Sequence, residues 1–201
     1  YEAVGMLREA TEVELDLVLA LIGRSGMADL REAGERLDTV ESAVRESDLT
    51  TLAARVTLAR ARLAAARGEE DRALALYERA ERRAGEQGNS NVEWEAQSDA
   101  AEVLLRRGAP LAAKSKLRRA VEILEGVAAT LPRELRKSYW QDSRRQRTRQ
   151  TLEEALADSP SRGARSGNEQ SMTDMLFRLL EINKRINSDP DLPKLLARIM
   201  D

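Results

Sequence analysis

The chain has 201 residues, enough for one large domain or a domain with an appendage. It contains neither Cys nor His, which removes disulfides, thiolate nucleophiles, Ser-His-Asp relays and the usual transition-metal shells. With 33 Lys and Arg against 35 Asp and Glu, the net charge of -2 gives no overall attraction for nucleic acid or an anionic membrane.

Ala and Leu dominate the apolar residues, aromatics make up 3% and strand-forming alternation is absent, so the expected fold class is all-α. Helices are expected near 3–23 and 27–46, 50–67 and 70–86, and 91–107 and 110–129, forming three antiparallel hairpins within 1–130. Short turns containing Gly26, Gly68 and Gly108 separate the members of each pair; glycine there accepts the left-handed conformation that ends a helix, and Pro110 suits a first turn. Asp48, Thr50 or Thr51, and Asn89 to Asn91, are expected as N-caps between pairs. One long helix over 132–157 is expected to cap the open end, with Trp140 packed on the last hairpin's edge. Arg and Lys crowd 133–149; they are expected to keep that terminal helix soluble rather than to bind nucleic acid. The stretch 158–170, rich in Ser, Gly and Arg, reads as a flexible linker. Beyond it, within 171–201, Met172, Met175, Leu179, Ile182 and Ile186 fall at spacings of three and four, the seam of a helix that pairs with a second copy. A homodimer through this C-terminal helix is therefore expected.

Aligning 27–44, 67–84 and 107–124 without gaps reveals a repeat of forty residues. Ala33, Ala73 and Ala113 coincide, then Leu37, Tyr77 and Leu117, then Val40, Ala80 and Ala120. Offsets of four and three place each trio on one helix face.

The segment with Gly68 in the turn, Ala73, Tyr77 and Ala80 on the second helix and Ala61 on the first resembles a tetratricopeptide repeat. Gly108, Ala113, Leu117, Ala120 and Ala101 repeat the pattern. The resemblance implies a right-handed solenoid of antiparallel helix hairpins, in which small residues let paired helices approach closely. The closing segment Leu179-Leu180-Glu181-Ile182-Asn183-Lys184-Arg185-Ile186, followed by Leu192 and Leu195-Leu196-Ala197-Arg198-Ile199, is similar to the signalling helix and first helix that introduce a GAF sensor domain. Together these imply a non-catalytic protein-protein interaction and signalling module of a bacterial regulator, with a transcriptional activator of the sigma-54 type as the leading expectation. A scaffold arm of a Ser/Thr or histidine kinase and a plain assembly scaffold stay open.

The first helix of each hairpin normally lines the concave face of such a stack. Arg55, Leu58, Arg62, Glu95, Ser98, Glu102 and Leu105 are therefore the candidate contacts for a protein or peptide partner. No Gly-rich phosphate loop is present and no cofactor is expected. The longest uncharged apolar runs, such as 17–22, are too short to span a bilayer, so a cytoplasmic location is expected.

Overall fold

The computed structural model describes residues 2–157, and among them every regular element is helical. In chain order these are α1 (Glu2–Arg24), α2 (Met27–Glu46), α3 (Ala53–Ala66, entered through a 3-10 turn at Thr50–Leu52), α4 (Glu70–Glu86), α5 (Ser90–Arg106), α6 (Pro110–Thr130), α7 (Arg133–Tyr139) and α8 (Ser143–Ala157). The expected seam at Met172, Met175, Leu179, Ile182 and Ile186, like the expected linker, lies outside the described residues.

Four helix ends share one device. Gly68, Gly88 and Gly108 take φ of 78°, 64° and 71°, and Asp48 takes 52° in the same role. In each case the following N–H reaches back five residues: Leu49 to the Val44 carbonyl, Glu69 to Ala64, Asn89 to Ala84 and Ala109 to Leu104, at 3.0, 2.9, 2.8 and 2.9 Å. This backbone lock satisfies carbonyls that a helix end would leave unpaired. Asp48 thus ends α2 and does not cap α3, which has no side-chain cap. At the α1–α2 turn Ser25, with φ of 57°, takes the left-handed place expected of glycine, while Gly26 is extended. Asn89 does cap α5, its side chain accepting from the Val92 N–H at 3.2 Å.

Successive helices pack in pairs: α1 on α2, α3 on α4, and α5 on α6, with α4 also against α5 and α2 against α3. Connections this short force packed neighbours to run in opposite directions. In addition α3 touches both α1 and α5, so the first members of the pairs are brought side by side. Ala33, Ala73 and Ala113 are all 0% exposed. Leu37, Tyr77 and Leu117 are buried in the same register, as are Val40, Ala80 and Ala120. Each trio follows one face of α2, α4 or α6, the face turned to its partner helix.

Burial shapes the chemistry of Tyr77. Desolvation, helped by the nearby Asp99 carboxylate, holds its phenol well above its ordinary value near 10. At neutral pH the phenol is uncharged whether the chain is folded or not. Above about pH 10 the unfolded chain gives up the proton first, so stability falls as pH rises, by up to about 1.4 kcal/mol per unit. The Tyr77→Phe variant should lose less stability between about pH 10 and 12, measured by urea midpoints at each pH. Parallel profiles for the two proteins would contradict the burial argument.

The expected continuous helix over 132–157 is two helices. α7 stops at Tyr139, and the Asp142 carboxylate accepts from the Arg144 and Arg145 N–H groups at 3.1 and 3.0 Å, starting α8 anew. Between them Tyr139 and Trp140 meet edge-to-face with centroids 5.4 Å apart and pack on Trp94, Ala120, Ile123 and Leu124. Anchoring both aromatics while satisfying the Asp142 cap bends the chain there. The basic residues of 133–149 are consequently divided between two helices.

Candidate functional site

The faces of α1, α3 and α5 meet in a cleft of about 440 Å³. Leu15 and Leu19 come from α1, Arg55, Leu58 and Arg62 from α3, and Val92, Trp94 and Glu95 from α5. Asp142, Arg144 and Arg145, at the start of α8, close one side. Residues four apart on a helix project from one face, which is how Leu58 and Arg62 come to share this wall.

Arg62 is the cleft's central charge. Its Nη2 donates to Glu95 Oε2 and its Nε to Asp99 Oδ2, both at 2.6 Å, across the α3–α5 boundary. Burial opposes its charge, but the Asp99 and Glu95 carboxylates outweigh that, raising its pKa beyond the ordinary arginine range. The guanidinium is therefore a permanent cation fixed by two carboxylates. Arg144 of α8 approaches the same acids, with Nη1 3.1 Å from Glu95 and Nη2 3.6 Å from Asp99. It also lies 5.6 Å from the centroid of the Trp94 ring.

The seven candidate contacts fall into different environments. Arg55, Arg62 and Glu95 line the cleft, and Arg55 pairs with Asp16 of α1 at 3.0 Å. Leu58 also borders it but is only 3% exposed, so it forms the cleft's floor and not an open contact. Ser98 is 8% exposed, contrary to the expectation of a free face: α8 covers it, and its hydroxyl shares a hydrogen bond of 2.8 Å with Thr148. Glu102 is approached by Arg147 at 3.5 Å. Leu105, near the end of α5, lines neither this cleft nor the smaller cavity of about 80 Å³ beneath α8.

Sequence reasoning overlooked Trp94 and Asp99. Trp94 is 3% exposed, and its Nε1 has no hydrogen-bond partner within the protein. Asp99 could have been found as the residue four beyond Glu95, the spacing at which two carboxylates meet one guanidinium. Arg145 stacks on Tyr139 with its Cζ 4.0 Å from the ring centroid, and its Nε is likewise buried without a partner.

No family model, curated protein or solved structure matches this chain. Among the described residues no group of three His, Cys, Asp or Glu is placed to hold a metal ion. No described helix is long and apolar enough to cross a membrane. The arrangement can recognise: fixed cations and carboxylates edge a partly apolar cleft formed by three helices.

Proposed function

We propose that the chain is a non-catalytic, cytoplasmic protein-interaction module of a bacterial signalling regulator. Its helix pairs form a right-handed, tetratricopeptide-like stack closed by α7 and α8, and it receives a protein or peptide on the face of α1, α3 and α5. The observation that carries this reading is the cleft itself, in which the first helices of three pairs contribute adjoining apolar and charged residues. Repeating pairs of this kind build continuous binding surfaces from one helix per pair. The Arg62–Glu95–Asp99 cluster keeps α3 and α5 in register while offering polar edges to a partner.

The test compares capture of partners by wild-type protein and by two charge reversals. Arg55→Glu alters the cleft, whereas Arg79→Glu alters an exposed residue on α4. Proteins cross-linked from an extract of the source cells should be retained by Arg79→Glu and depleted about tenfold or more by Arg55→Glu, the loss expected from about 1.4 kcal/mol. Equal retention by both variants, or loss with both, would overturn the proposal.

A further inference from the structure

α8 occupies part of the face assigned above to a partner, and the way it is held there identifies what else would fit. A helix that packs permanently on a core normally presents an apolar stripe. α8 does not: Thr148 is its only buried residue. Leu152 and Ala155 add partly buried contact with Ala101, Ala113 and Leu117. α8 packs mainly against α6, and it reaches α5 through Arg144 to Glu95, Asp99 and the face of Trp94, Thr148 to Ser98, and Arg147 to Glu102.

The acids under α8 do not depend on it. Glu95 and Asp99 already receive short hydrogen bonds from Arg62, so departure of Arg144 leaves no buried carboxylate without a cation. Ser98 and Thr148 would exchange one mutual hydrogen bond for bonds to water, a nearly balanced trade. Release of α8 therefore leaves the polar groups of this α5 face paired or solvated, and its cost is the apolar contact of Leu152 and Ala155 with Ala101, Ala113 and Leu117.

We infer that the α5 strip of Glu95, Ser98, Asp99 and Glu102 is a docking site for a basic helix, and that α8 is the intramolecular occupant which covers it. The partner helix carries the α8 pattern: arginine, a second arginine three residues on, a hydroxyl next to it and leucine four further, as in Arg144, Arg147, Thr148 and Leu152. Charge complementarity selects it, because the strip supplies three carboxylates and a hydroxyl at helical spacing. An occupant tethered in cis competes at high effective concentration, so partner binding and α8 release are coupled. The inference rests on the proposed interaction role and specifies how its surface is regulated.

The experiment uses the full chain and a fluorescent peptide of residues 143–157. The protein has no native cysteine, so Ser98→Cys with Thr148→Cys places a single pair where the two hydroxyls meet at 2.8 Å. Oxidation locks α8 down and reduction frees it in the same folded protein. Peptide affinity, read by anisotropy, should be at least about tenfold weaker when oxidised, since the lock leaves almost no open strip. Arg144→Glu in the full chain, which weakens α8 in cis but not the peptide, should bind more tightly than wild type. Equal affinity in both redox states would overturn the inference, as would absence of binding to both the reduced pair and Arg144→Glu. A disulfide joining two chains would also overturn it, showing that α8 is exchanged between copies. Redox-dependent peptide binding combined with failure of the Arg55→Glu capture result would remove the proposed partner role and leave the α8 site standing.

Discussion

Replacing Trp94 with alanine is expected to lower the unfolding free energy by about 3 to 5 kcal/mol, the cost of emptying a large buried aromatic site. Trp94 joins three parts of the chain. Its ring packs with Ala120, Ile123 and Leu124 of α6, with Tyr139 and Trp140 at the α7–α8 break, and beneath the guanidinium of Arg144. The Trp94→Phe variant should recover most of the loss. It keeps an aromatic body in the site and removes an Nε1–H that has no protein partner, a group whose burial opposes folding. Urea unfolding followed by circular dichroism measures both. A loss below about 1 kcal/mol for Trp94→Ala would mean that the ring does not hold α5 to its neighbours.

The second large effect concerns the repeated alanines. Leucine at Ala33, Ala73 or Ala113 adds volume at sites with 0% exposure on α2, α4 and α6. Ala113, for example, lies in one cluster with Ala101 of α5 and Leu117. Leucine there must push the paired helices apart or adopt a strained rotamer, costing about 1 to 3 kcal/mol. Ala75, two residues from Ala73 and from Tyr77 and so on the opposite, exposed face of α4, is the matched control. The same substitution there should change stability by no more than about 0.5 kcal/mol.

Much of the helical layout was legible because its causes are local. Gly68 and Gly108 end helices through a left-handed residue, Pro110 begins one, and the small-large-small trio declares which face of each second helix is buried. Asp48 and Ser25 were harder to read, because either residue serves equally well as an N-cap and enters the left-handed region only in context. The break at Trp140 was hidden for a different reason. No Gly or Pro interrupts 133–157, and what ends α7 is the packing of two aromatics against α5 and α6, together with the Asp142 cap.

The face of the first helices was legible in part. Arg55, Arg62 and Glu95 were named because the resemblance puts first helices on the concave face, and they do line one cleft. Ser98 was not readable as covered, because nothing in α5 announces that a later helix of almost wholly polar character returns to lie on it. Likewise, a register built from the second helix of each pair is blind to Trp94, which belongs to a first helix. Tertiary contacts between segments about fifty residues apart, such as Ser98 with Thr148, leave no periodic trace in the sequence.

The proposed interaction surface exists only if the three helix pairs nest alike, since that nesting is what sets α1, α3 and α5 side by side. Chemical unfolding of Ala33→Leu, Ala73→Leu and Ala113→Leu beside Ala75→Leu tests this most directly. All three buried substitutions should lose about 1 to 3 kcal/mol while the exposed control stays near wild type. Tolerance of leucine at any of the three positions to the same degree as at Ala75 would contradict it.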